Sequence, residues 1–134
     1  MSRVREEQRT LNTMNTVTLY AAGRMAFGVA ALAAPSFVGR AFAGAGGAEP
    51  DAQAFLRGMG GREIGLALGL LAALRAGGPA RPWLIAGVLA DSSDLAGIAA
   101  TWQRLPPAKR WMGLGTAGGA AAMGAALLAR RVAS

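Results

Sequence analysis

WLIAGVLADSSDLAGIAATW, Trp83–Trp102, decides the fold. Its two apolar runs, Leu84 to Ala90 and Leu95 to Ala100, are bracketed by tryptophans, which favour the membrane–water boundary. Nineteen helical steps of about 1.5 Å cover roughly 28 Å, close to the thickness of a hydrocarbon core. Trp83 and Trp102 therefore read as interfacial anchors. On the same ruler Asp91 and Asp94 fall within roughly 3 Å of the midplane. A charge at that depth is expensive, so each acid calls for a partner or a job.

Composition agrees with a lipid-facing chain. The 134 residues suit one domain, 1–134, and 53% are hydrophobic while only 6% are aromatic. Alanine, glycine and leucine supply the apolar content, which suits membrane helices that pack closely through small residues. Cysteine and histidine are absent. That removes disulfides and thiolate chemistry, and with them the commonest neutral-pH base and metal ligand. The net charge is +7, nearly all of it arginine. The arginines flank apolar runs and form no stripe interleaved with aromatics, so they read as membrane flanks and not as a nucleic-acid surface.

Working outward from Trp83–Trp102, three more spans appear. The predicted fold class is all-α: an integral membrane bundle of four transmembrane helices at about 16–34, 55–74, 83–102 and 111–129. Residues 1–12 form a polar lead-in, with Thr13 or Asn15 available to cap the first span. Pro35 ends that span, and 36–54 is an interfacial connector in which Gly44, Gly46, Gly47 and Pro50 forbid a long helix. The competing reading of the first apolar run is a secretory signal with a small-residue site at Ala41-Phe42-Ala43. A central arginine, Arg24, disfavours it, and an uncleaved span is expected. Four spans put both termini on one side, with Arg3, Arg5, Arg9, Arg75, Arg81, Arg130 and Arg131. Arg40, Arg104, Lys109 and Arg110 face the other. The positive-inside rule then makes the termini cytoplasmic, in the inner (plasma) membrane.

Two glycine patterns suggest packing faces. Gly61, Gly65 and Gly69 recur every four residues and give one flat face on the second span, and Gly115 and Gly119 do the same on the fourth. Trp111 serves as a third interfacial anchor.

Depth also sorts the buried charges. Arg24 lies about 3 Å to the cytoplasmic side of the midplane, and Arg62 and Glu63 roughly 5 Å to the outer side. The depths match as Arg24 with Asp91 and Arg62 with Asp94. Asp91 and Asp94 are three apart and share one face of their helix. The expected result is a polar knot of Arg24, Arg62, Glu63, Asp91 and Asp94 joining the first three spans. Such a knot fixes helix register. In a wet cavity the same carboxylates would bind a cation, a proton or a lipid headgroup.

No catalytic residue, cofactor or metal site is assigned. Ser92 and Ser93 can bond back to their own helix's carbonyls, and no histidine or membrane lysine is at hand to activate them. Asp91-Ser92-Ser93-Asp94 matches the opening of the D-x-x-D motif of membrane phosphotransferases acting on nucleotide-linked alcohols. Leu95 replaces the glycine of that motif, and no acid follows Asp94, so the metal site would be half missing. Small four-helix exporters are similar in size but carry a carboxylate in their first span, where this chain has Arg24.

Leu56-Arg57-Gly58-Met59-Gly60-Gly61-Arg62-Glu63-Ile64-Gly65-Leu66-Ala67-Leu68-Gly69, followed by Arg81-Pro82-Trp83-Leu84, Asp91 and Asp94, resembles a class of small four-helix bacterial membrane proteins of unknown function, frequent in actinobacteria. Gly65 precedes Leu66 where that pattern has Leu-Gly. The resemblance implies fold and topology, and no activity. The resulting expectation is a non-enzymatic accessory subunit in contact with lipids. It would pack against a larger membrane complex, such as a lipid-uptake transporter or a respiratory complex. The alternative is a small transporter or a lipid- or ion-binding module built on the Arg/Asp cluster.

Overall fold

The computed structural model describes residues 2–130. Among them it has five α-helices: α1 (Ser2–Ala33), α2 (Pro35–Ala43), α3 (Pro50–Arg75), α4 (Arg81–Ala100) and α5 (Pro107–Ala129). Short 3₁₀ turns at Ala45–Ala48 and Trp102–Arg104 complete it. Proline stands at the first or second position of α2, α3, α4 and α5. There its missing N–H costs nothing, and its fixed φ suits the first turn.

Three expectations are corrected. The polar lead-in is not separate, because α1 runs unbroken through it. Thr13 and Thr16 donate to the carbonyls of Arg9 and Asn12 and so serve the helix interior, not a cap. The connector is more ordered than its glycines suggested. It holds all of α2, and α3 already starts at Pro50. Gly39 and Gly47 meet backbone to backbone where any Cβ would collide, and Gly44 makes the reversal at φ 75°. Finally, α4 stops at Ala100, leaving Trp102 in the 3₁₀ turn. Arg131 lies outside the described residues.

Three helices, α1, α4 and α5, are long and apolar enough to cross a membrane. Helix α3 is 26 residues long but is not among them. Arg62 and Glu63 near its middle, flanked by Arg57 and Arg75, dilute its apolar run.

The helices pack as two pairs. In the first, α1 and α3 cross at Gly28 and Gly60: a Cβ on Gly28 would lie 2.7 Å from the Gly60 carbonyl oxygen. Small residues let the backbones touch, the usual route to close packing where lipid removes the hydrophobic drive. In the second, Gly113 receives Ile98 and Gly124 receives Val88, joining α5 to α4. The pairs meet at the end marked by the α3–α4 turn, where Val17, Ala21, Leu70, Ala80, Leu84 and Leu127 form the core. Trp83 lays its ring on Gly69 at this end. Toward the other end the pairs part.

Polarity is inverted relative to a water-soluble bundle. Leu19, Phe55, Leu89 and Trp111 are each more than 60% exposed, whereas Arg24, Glu63 and Asp91 are at most 6% exposed. Exposed apolar area on this scale marks a surface that meets something other than water.

Candidate functional site

The five charged residues picked out by depth lie in one network. Arg24 on α1 is its hub. Nη1 donates to Glu63 Oε2 at 2.5 Å, and Nη2 donates to Asp91 Oδ2 and, at 2.6 Å, to the Tyr20 hydroxyl. Tyr20 in turn donates to Asp91 Oδ2 at 3.5 Å. Arg62 grips Asp94 with two parallel bonds, Nη1–Oδ1 at 3.2 Å and Nη2–Oδ2 at 2.7 Å. Its Nε also reaches Glu63 Oε1 at 3.1 Å. Forked pairing of this kind recovers part of the cost of taking both charges out of water. Arg24–Asp91 and Arg62–Asp94 are the partners that depth alone suggests, and Glu63 ties the two together.

The network straddles the gap between the helix pairs. Arg24, Arg62 and Glu63 belong to α1 and α3, while Asp91 and Asp94 belong to α4. Arg24 and Asp91 are almost wholly buried, whereas the Arg62 and Asp94 side chains are about a third exposed. The inner bridge is therefore enclosed by protein, and the outer one opens onto the cavity between the pairs.

Beside the network the separated pairs leave a cavity of about 810 Å³. All five charged residues line it. Most of its remaining wall is apolar, including Leu19, Phe27, Ile98 and Met123. Phe27 and Phe42 meet edge to face on that wall, with ring centroids 5.8 Å apart. Lys109, Thr101 and Leu105 line it toward the α4–α5 loop. Its size falls within the range of small-molecule sites, and an apolar wall with a few convergent polar groups is their usual form.

One buried polar atom in this wall lacks a partner, and one carboxylate oxygen lacks a donor. Arg24 Nε is fully enclosed without an acceptor. Asp91 Oδ1 receives no donor among the described residues, since both contacts to that carboxylate fall on Oδ2. Among the described residues, no His, Cys, Asp or Glu side chains converge as a metal-holding group.

Two members of the site escaped the sequence reading. Tyr20 stands one turn before Arg24 and holds the guanidinium both by its hydroxyl and by its ring, whose centroid is 4.8 Å from Arg24 Cζ. An i, i+4 tyrosine–arginine pair was the available signal. Gly87, one turn before Asp91, makes room for that guanidinium: a Cβ there would lie 2.9 Å from Arg24 Nη2. Ser93 lines the cavity but donates its hydroxyl to the Ala90 carbonyl at 2.7 Å.

The glycine faces fare differently. Gly61, Gly65, Gly115 and Gly119 meet nothing within 4 Å, whereas Gly69 seats Trp83. Trp102 packs edge to face on Trp111, with Arg110 stacked over Trp102. No protein-family model, no curated protein and no solved structure matches this chain.

Proposed function

We propose that this is a multi-pass plasma-membrane protein, with α1, α3, α4 and α5 as spans and both termini in the cytoplasm. We propose further that it is not an enzyme, and that it binds a small amphiphile or lipid in the cleft between its helix pairs. One observation carries the reading: an apolar cavity of about 810 Å³ closed on one side by a buried charge network. The exposed apolar belt supports a lipid surround. Helix α3 joins the spans in this reading because its mid-helix charges, Arg62 and Glu63, are spent inside the protein on Asp94 and Arg24.

Native mass spectrometry of the protein extracted in a neutral maltoside detergent tests this. One retained small amphiphile or lipid per chain is expected. Gly97 lines the cleft and has open space around it, so Gly97→Phe should fill the cavity and displace the adduct. Equal retention by the variant would remove the cleft from consideration.

A second reading, an accessory subunit of a larger membrane complex such as a lipid-uptake transporter or a respiratory complex, is favoured by the open faces at Gly61, Gly65 and Gly115. Flat glycine faces are where membrane helices approach most closely. Purification in mild detergent should then recover a partner in fixed ratio. Recovery of the chain alone would count against it.

A further inference from the structure

Resting on the cleft-binding reading, we infer that the occupant of the cavity is a lipophilic organic cation, its positive head against Asp91 and its hydrocarbon body along the apolar wall. The charge count is the starting point. The network holds two guanidinium groups, Arg24 and Arg62, against three carboxylates, Glu63, Asp91 and Asp94. With all five ionised it carries one surplus negative charge at a depth where an unmatched charge is costly. The surplus has a location. Glu63 and Asp94 each have both oxygens engaged by arginine, while Asp91 has one oxygen without a donor among the described residues. Asp91 is 4% exposed, and it lines the cavity.

The wall fits the rest of such a ligand. An inorganic cation would leave most of 810 Å³ empty and apolar. An aromatic pair, Phe27 and Phe42, adds ring faces that attract a cation. Lys109 is the remaining charge on the wall. It stands near the start of α5, toward the α4–α5 loop, and makes no ion pair among the described residues. Thr101, on the same part of the wall, is seven residues beyond Asp94, or about 10 Å of helix. At the mouth a lysine can turn its ammonium to water while its stem covers apolar surface. It leaves the deep surplus unmatched, and it opposes entry of a cation. An anionic occupant would add charge of the sign already in excess.

Equilibrium dialysis in neutral maltoside detergent tests the sign of the ligand, with tetraphenylphosphonium as cation and tetraphenylborate as an anion of the same shape. Tetraphenylphosphonium should bind at least tenfold tighter to the intact protein, and Asp91→Asn should erase at least a tenfold share of that preference. Arg24 keeps Glu63 in that variant. If it nevertheless fails to fold, Lys109→Gln carries the test, since Lys109 has no partner to lose among the described residues and its removal should strengthen tetraphenylphosphonium binding severalfold. Equal affinity for the two probes, or a preference for the borate, would overturn the cation while leaving the cleft as a binding site. No binding of either probe, in a protein that also retains no adduct, would overturn both. The cation can arrive as a free amphiphile or as a lipid with a net-positive headgroup. A native adduct displaced by tetraphenylphosphonium indicates the lipid, and an unliganded chain that binds the probe indicates the free amphiphile. An adduct of net negative charge in the cleft would refute the inference.

Discussion

The seams inside the two helix pairs and the gap between the pairs are held by different physics. Inside the first pair, Gly28 and Gly60 bring α1 and α3 into backbone contact. Inside the second, Gly113 and Gly124 receive the side chains of Ile98 and Val88. The first seam also carries one buried ion pair, Arg24–Glu63, and the second carries none among the described residues. Between the pairs, away from the Leu70–Leu84 core, every ion pair in the network that joins the two pairs runs from an arginine of the first to an aspartate of α4. The seams are short-range and shape-specific. The gap is bridged by long side chains, and that is why it can be both closed electrostatically and hollow. Close packing, joined in the first half by the Arg24–Glu63 pair, therefore accounts for the two halves, and ionic bridging to α4 for how they face each other across a site.

The largest effect should come from the bridge. Arg24→Gln removes the only arginine that contacts Asp91 among the described residues, and one of two that contact Glu63. Removing one partner of a buried pair typically costs about 3–5 kcal/mol, because the charge left behind has no compensation. The folded yield and the melting temperature in detergent should fall accordingly. Unchanged melting would mean that the network contributes nothing to joining the halves.

Next comes the seam. A Cβ at Gly60 would sit 2.8 Å from the Gly28 carbonyl oxygen and 3.1 Å from Ala31 Cβ, and backbone cannot step aside as a side-chain tip can. Gly60→Val should cost about 1–3 kcal/mol, the usual range for overpacking a tight interface. If it outranked Arg24→Gln in the same melting assay, backbone packing and not the ionic bridge would be the stronger hold. Asp94→Asn should cost less than either. Its partner Arg62 keeps Glu63, and both side chains are about a third exposed. Partly hydrated pairs contribute about 0–1 kcal/mol. A loss as large as that of Arg24→Gln would show that the outer bridge is as enclosed as the inner one.

Much of this was legible in the sequence, for reasons specific to each residue. Pro35 closes α1 as its chemistry requires, but Pro35, Pro50, Pro82 and Pro107 each also open the next helix, which reading proline as a breaker leaves out. The matching of Arg24 to Asp91 and of Arg62 to Asp94 followed from depth, since a helix converts residue number into height at a fixed rise. Height says nothing of direction around the axis, however. Glu63 has the depth of Arg62, so its turn toward Arg24 was invisible until α1 and α3 were placed side by side. The same blindness hid which glycine meets α1. Spacing by four marks Gly61, Gly65 and Gly69 as a face, but Gly60, one residue along, is the glycine that touches α1. The polar stretch 1–12 gave the opposite error. Its charges exclude it from a bilayer, and that was read as an end to the helix, although α1 continues through it.

The smallest effect on stability should fall on the glycines that spacing singled out. Gly61 on α3 and Gly115 on α5 have nothing within 4 Å of where a side chain would begin. A leucine at either position should enter free space and gain a little helix propensity, since glycine is about 1 kcal/mol worse than alanine in a helix interior. The isolated protein should melt within about 0.5 kcal/mol of the parent, as expected for a substitution that touches nothing. The pair of measurements is informative because the second reading of function predicts the reverse in the cell: a leucine on a face used for docking would hold a partner's backbone away. Unchanged melting together with loss of a co-purifying protein from both variants would mark these faces as an interface. Unchanged melting with nothing lost would leave them as lipid-facing helix surface, and the cleft between the pairs as the part of the molecule that does the binding.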